Sequence, residues 1–186
     1  MLTTVLNETG YEESAFGFSL SYNSTKDRAK ELFPKFAFKQ GGENKFLESI
    51  YIWLYIKAPR FWWQEFDTYR VGITKQSGST MHTLTKSLLT QSNFEYRLPE
   101  NTLITLNQLI EKYNETENTQ SKKALLLIIK NTLPEGFLQE RVVCLNYKTL
   151  QNMYNQRKNH KLPQWQMFFD YLLDNIQHPE FIRGKN

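Results

Sequence analysis

Asn146, Lys148, Asn152, Gln156 and Arg157 set amides and cations along one short stretch of the chain. Leu150, Met153 and Tyr154 fall at i, i+3 and i+4, so the stretch reads as a helix with one apolar face. Asn152, Gln156 and Arg157 lie off that stripe, and Lys148 and Arg157 stand at its two ends. Such a helix can turn amide and charged donors toward one ligand. A guanidinium offers a planar fork that suits a carbonyl or an ionised imide. The same pattern also fits a surface helix whose polar residues are merely solvated. Ser79, His82 and Asp67 invite a hydrolase reading. However, Gly78 directly precedes Ser79, and no second glycine completes a Gly-x-Ser-x-Gly elbow. His82, His160 and His178 lack metal-ligand spacing, so no metal is expected. There is no phosphate loop of the nucleoside-triphosphatase type.

The elements that must hold these groups can be read from pattern. The apolar run Val142–Val143–Cys144–Leu145 reads as a strand that turns into the late helix at Asn146. Ile50, Ile52, Leu54 and Ile56 alternate with Tyr51, Trp53 and Tyr55. Both sets are large, which predicts a strand covered on both faces. Pro59 then opens an aromatic helix over Arg60–Tyr69, with Trp62, Trp63 and Phe66 as core or subunit contacts. Val71–Ser79, with two glycines and several hydroxyls, reads as a loop, and Met81–Leu89 as a second helix. Leu103–Tyr113 and Ser121–Asn131 are helices joined by a polar linker over Asn114–Gln120. Pro134–Gly136 is a turn, and Pro163 opens a last amphipathic helix. Near the start, Leu2–Leu6 reads as a short strand and Asn7–Gly10 as a turn. Glu12–Tyr22 fits helix or strand. Ser24–Asp27 opens a helix that Pro34 disturbs, and Gly41–Gly42 breaks the chain.

Bulk properties bound the rest. The chain has 186 residues, 40% of them hydrophobic and 15% aromatic, enough for one α+β domain over residues 1–186 with a full core. The net charge of +4 is compatible with an anionic ligand and too small for wrapping nucleic acid. No apolar run is long enough to span a bilayer, and no secretory signal is read at the N-terminus, so a soluble intracellular protein is expected. The single cysteine, Cys144, excludes an internal disulfide and is expected to be buried.

The late stretch resembles the C-terminal signature of the flavin-dependent thymidylate synthases, N-x-R-x-L-x-N-F-x-x-x-R followed by a Gln-Trp-Glu-type helix. Asn146, Leu150, Asn152 and Arg157 match. Lys148 and Met153 stand for an arginine and a phenylalanine, and Gln164–Trp165 is similar to the Gln-Trp pair. Leu133–Pro134 falls on a Leu-Pro pair, which places Lys130 on a phosphate-binding arginine. A central block, FLESIYIWLYIKAPRFWWQEFDTYR, is similar to the family's run of Glu-His, an apolar strand, Lys-Ala-Pro, a helix with Gln, and Arg-His-Arg. Glu48, Lys57, Ala58, Pro59, Gln64 and Arg70 match in place. Ser49 stands where the family has histidine, and Thr68–Tyr69–Arg70 where it has Arg-His-Arg. With one residue inserted after Gly72, Thr74, Gln76 and Ser79 fall on the Ser, Asn and Ser of the next motif. Ser77, Met81 and His82 replace its Glu, Arg and Tyr. The resemblance spans roughly Glu48–Ser79 and Lys130–Gln166.

The resemblance implies a central sheet flanked by helices and C5 methylation of dUMP or a similar pyrimidine deoxynucleotide. It implies FAD as cofactor, with reduced folate and NADPH in turnover. It also implies a homotetramer whose sites are shared between subunits, placed in the cytoplasm, the host's if the chain is bacteriophage-encoded. Carried over by position, Arg157 and Ser79 are the catalytic candidates. Gln64, Lys130, Arg157 and Ser79 would hold the nucleotide, with Arg157 on the uracil edge and Lys130 on the phosphate. Arg70, Gln76, Asn146, Lys148 and Asn152 would hold the flavin. Ser49, Thr68 and Tyr69 remove charged partners from that flavin set, each worth about 1.5–3 kcal/mol. Two other readings stand beside the enzyme: a nucleotide-binding homologue without flavin chemistry, and a structural or nucleic-acid-associated protein using the basic helix Lys148–Lys161.

Overall fold

The computed structural model describes residues 1–184. Its architecture is α+β. Four strands, β1 (Leu2–Thr9), β2 (Tyr51–Pro59), β3 (Ile73–Ser77) and β4 (Leu138–Asn146), form one antiparallel sheet in the order β1-β2-β4-β3. Alternation along β2 sends Ile52, Leu54, Ile56 and Ala58 into the core, and cross-strand Leu145 and Val143 join them there. The opposite face is not covered as the sequence pattern suggests. Tyr51 and Trp53 are 39% and 37% exposed, and Leu2 of β1 lies open on the same side, across from Lys57. All the helices that bury the sheet pack on its other face, so the aromatic row is left toward solvent.

The described residues also form α1 (Tyr11–Ser21), α2 (Lys26–Phe36), α3 (Arg60–Phe66), α4 (Thr80–Thr83), α5 (Glu100–Glu115) and α6 (Thr119–Thr132). They are followed by α7 (Tyr147–Arg157), α8 (Pro163–Asn175) and α9 (Glu180–Arg183). The segment that fits helix or strand is α1. It follows β1 through Gly10 at φ +92°, and a Cβ there would stand 2.1 Å from the Ser49 carbonyl oxygen, so only glycine permits the turn. The anticipated turn at Asn7–Gly10 is therefore shorter, because β1 continues to Thr9 across a bulge between Val5 and Asn7. Thr25 caps α2 by accepting from the Arg28 amide at 3.2 Å, and Pro34 sits inside the last turn without ending the helix.

Two further sequence expectations fail for physical reasons. Val71–Ser79 is not all loop, because Ile73–Ser77 pairs with Arg141–Leu145 as the edge strand β3. An edge strand needs only one hydrogen-bonded side, so its polar sequence is tolerated. The helix expected over Met81–Leu89 contracts to α4. Thr83 turns its hydroxyl onto the Ser79 carbonyl at 2.7 Å, a local bond that competes with helix continuation. Leu84 and Leu89 instead drop into a second apolar cluster with Leu103, Leu106, Ile110 and Ile129.

The main core lies between the sheet and α2, α3, α7 and α8. Trp62, Trp63 and Trp165 are wholly buried in it, so they are core rather than subunit contacts, and of the four tryptophans only Trp53 faces outward. Burial of large apolar side chains of this kind contributes about 1.5–3 kcal/mol each. Gln151 ties α7 to its neighbours by donating to the carbonyls of Phe181 (2.7 Å) and Ala37 (3.0 Å). Among the described residues no helix is long and apolar enough to cross a membrane.

Candidate functional site

The start of α7 is built around Asn146. Its side chain accepts from the Thr149 amide at 2.8 Å and so caps the helix, while its own amide donates to the Gly72 carbonyl at 3.1 Å. Gly72 is at φ +66°, and a Cβ there would lie 2.5 Å from Asn146 Nδ2 and 2.7 Å from Thr149 Oγ1. Thr149 in turn donates its hydroxyl to the Val71 carbonyl at 2.8 Å. The segment after α3 is thereby strapped onto the first turn of α7. This contact brings Arg70 against Lys148 and Asn152 around an open cavity of about 550 Å³, with Glu48 and Gln156 on its rim.

Three of the five flavin candidates, Arg70, Lys148 and Asn152, therefore share one cavity. Asn146 supports it from behind, as a buried cap that does not line it. Gln76 is elsewhere, on β3 opposite Val142. The nucleotide candidates sit apart from the cavity. Lys130 places Nζ 3.2 Å from Met81 Sδ on α4, and Ser79 is the residue before that helix, its side chain making no cap hydrogen bond. Gln64 donates to Glu135 at 2.9 Å, and Arg60 reaches the same carboxylate at 3.2 Å. The chain thus presents a donor-lined cavity at α7 and a separate corner at α4 and α6. The hydrolase trio that the sequence pattern argued against is not assembled either, because Asp67 is taken by Lys75 (2.8 Å) and Arg141 (2.8 Å). Burial disfavours the charge on Asp67, yet those hydrogen bonds hold its carboxyl below the usual range. Among the described residues no group of three His, Cys, Asp or Glu side chains is placed to hold a metal.

Arg157 stands behind the cavity wall. Its Nη1 donates to Glu65 Oε2 at 3.1 Å and its Nε to the Tyr69 hydroxyl at 3.1 Å. Asp170, an acid on the neighbouring helix α8, is not its partner and accepts from Gln166. Glu65 also receives the Trp165 indole at 2.8 Å, and His160 Nε2 lies 3.4 Å away. Tyr69 is 8% exposed, and its ring meets Trp165 edge-on, so only its hydroxyl reaches toward the cavity. That hydroxyl donates to Gln156 Oε1 at 3.0 Å, and Gln156 Nε2 donates to Asn152 Oδ1 at 3.1 Å. Thr149 and Glu65 are site residues that the sequence did not mark, and Tyr69 was marked only as the residue standing where the family has histidine. Gln156 was marked only as an amide lying off the apolar stripe of the late helix.

Two further cavities adjoin the first. One of about 430 Å³ shares Lys148 and Asn152, and one of about 570 Å³ shares Glu48. Gly41 and Gly42 border both, and Lys148 donates to Asn44 Oδ1 beside them.

No family model matches the chain, and no curated protein matches it. Solved structures do. One is a flavin-dependent thymidylate synthase ThyX from Helicobacter pylori complexed with FAD and dUMP, at a TM-score of 0.74 and 18% identity over 98% of each chain. Another structure of thymidylate synthase X from Helicobacter pylori, with FAD and dUMP, gives a TM-score of 0.78 and 18% identity over 100% of each chain. At that identity the likeness establishes the fold: the chain is a divergent sequence folded as the flavin-dependent thymidylate synthases are.

Proposed function

We propose that this chain is a divergent flavin-dependent thymidylate synthase-like protein that binds dUMP or a similar pyrimidine deoxynucleotide and methylates it at C5. The observation that carries the reading is the convergence of Arg70, Lys148 and Asn152 on one cavity, in a fold whose solved examples hold FAD and dUMP. Two cations and a carboxamide form a donor set that fits the oxygens of a phosphate-bearing cofactor. FAD is the cofactor proposed there, and a reduced flavin supplies the two electrons that a transferred methylene needs to become a methyl group. Reduced folate would be the one-carbon donor and NADPH the reductant. Arg70 and Lys148 bind and orient, Asn152 donates from its amide, and Asn146 holds the turn that presents them.

Lys130, Ser79 and Gln64 are proposed for the nucleotide. They lie away from the flavin cavity of the same copy, so the reading requires a homo-oligomer, a tetramer by resemblance, in which one copy's α4 corner closes on another's cavity. The open aromatic face of the sheet supports assembly, since Tyr51 and Trp53 are left uncovered. A specific observation keeps a second reading: Ser49, Thr68 and the buried ring of Tyr69 leave the flavin side with fewer charged partners. In that reading the chain binds the nucleotide and has lost flavin chemistry.

Separate titrations with FAD and dUMP decide. Binding of both, with FAD weakened about 10-fold or more by Arg70→Ala and Lys148→Ala together, is the expected result. Binding of dUMP alone selects the second reading. Binding of neither, with salt-sensitive DNA binding in their place, overturns both.

A further inference from the structure

Arg157 reaches the cavity only through other side chains, and the hydrogen bonds along that path all run in one direction. A guanidinium carries donors and no acceptor. Arg157 Nε has one hydrogen and gives it to the Tyr69 oxygen at 3.1 Å. Tyr69 then accepts, so its own hydrogen goes to the other neighbour, Gln156 Oε1, at 3.0 Å. With its oxygen occupied, Gln156 turns its amide nitrogen to Asn152 Oδ1 at 3.1 Å. Asn152, which lines the cavity, is thereby left with its oxygen engaged by Gln156 and its NH2 group without a protein partner among the described residues. Glu65 fixes the far end of the chain, because it accepts from Arg157 Nη1 and from the Trp165 indole and has nothing to donate. The amide orientations of Gln156 and Asn152 follow from this sequence of donors, since an amide's oxygen and nitrogen are assigned by their partners.

We infer that Arg157, Tyr69 and Gln156 are positioning residues that fix the Asn152 carboxamide with its donor toward the cavity, so that this wall selects ligands rich in acceptor oxygens and rejects donors. The inference deepens the reading of this cavity as a ligand site and rests on it for the ligand class, a phosphate-bearing cofactor. The relay itself is a property of the free chain. Without it Asn152 can rotate by half a turn and offer its oxygen instead, which removes one donor and sets a dipole against an anion. Arg157 is not replaceable by lysine in this role. One ammonium does not supply the fixed fork that meets Glu65 and Tyr69 together.

The test uses two measurements on the full chain. The first is the side-chain carbonyl carbon resonance of Asn152 in the absence of ligand, identified by its disappearance in Asn152→Ala. Tyr69→Phe keeps the buried ring and deletes only the hydroxyl, and Arg157→Lys is the second variant. Both are expected to shift that resonance toward a carbonyl released from its hydrogen bond. If neither variant moves it, the relay is overturned, whatever the chain binds. The second measurement is a double-mutant cycle on FAD affinity. Tyr69→Phe should weaken FAD about five-fold when Asn152 is present and have little effect in the Asn152→Ala background. Equal losses in both backgrounds mean that Tyr69 acts as packing only, and the inference falls. If wild-type chain binds no FAD yet the resonance moves in both variants, the relay stands and the proposed cofactor falls.

Discussion

Glu65 Oε2 and Arg157 Nη1 lie 3.1 Å apart across the contact between α3 and α7, and the Trp165 indole closes on the same oxygen at 2.8 Å. One carboxylate on α3 therefore joins two consecutive helices, α7 and α8, that lie far from it in the sequence. Both partners of the pair are only about a fifth to a third exposed, with side-chain values of 21% for Arg157 and 30% for Glu65. Breaking one side strands the other in a partly desolvated place. Glu65→Gln is expected to cost about 2 kcal/mol, and Trp165→Phe, which removes one neutral donor, about 1 kcal/mol. Urea unfolding measures both. A smaller loss for Glu65→Gln than for Trp165→Phe would mean that the charge is not what holds these helices.

Gly72 is the tightest point of the strap between α3 and α7. Alanine there must adopt a left-handed backbone and push Asn146 and Thr149 aside. Gly72→Ala is expected to lose about 2 kcal/mol, of which about 1 kcal/mol belongs to the helix cap at Asn146. In an Asn146→Ala background the clash with Asn146 is gone and that with Thr149 remains, so Gly72→Ala should cost less there than in the wild-type chain. Additive losses in thermal unfolding would argue against the strap.

Asp67 supplies a pH test. Its folded carboxyl sits below the ordinary value of about 3.9 because Lys75 and Arg141 donate to it. The stabilisation is complete above that ordinary value. It fades as pH falls from there through the folded value, because the unfolded carboxyl takes its proton first. Wild type should therefore lose stability over that acidic window, and Asp67→Asn should lose less over the same window. Parallel acid profiles for the two proteins would show that the ion pairs with Lys75 and Arg141 contribute nothing.

Trp53 tests assembly. Trp53→Asp leaves the buried face of β2 untouched, so the fold should persist by circular dichroism while the oligomer falls to smaller species in sedimentation. An unchanged mass would place the subunit contacts elsewhere.

The late helix was readable because its apolar residues recur at helical spacing and its cap, Asn146, follows an apolar strand. β2 and its buried face were readable from alternation, but alternation does not say that the second face stays uncovered. β3 escaped because an edge strand can be polar throughout. Arg157 was legible as a cation on a helix and illegible as a tether. Its acceptor, Glu65, lies 92 positions earlier in the chain, and no local pattern links them. The cavity depends on the Gly72–Asn146 contact in the same way, and of its lining only Arg70, Lys148 and Asn152 were marked beforehand as holding a cofactor.

The closeness of Gly10 to Ser49 bears on how this chain diverged. The backbone at position 49 is clamped by an element that tolerates no side chain, while the serine itself is exposed and lines the cavity of about 570 Å³. A change of side chain at such a socket alters chemistry without moving the scaffold, so position 49 can exchange its side chain while Gly10 holds the backbone in place.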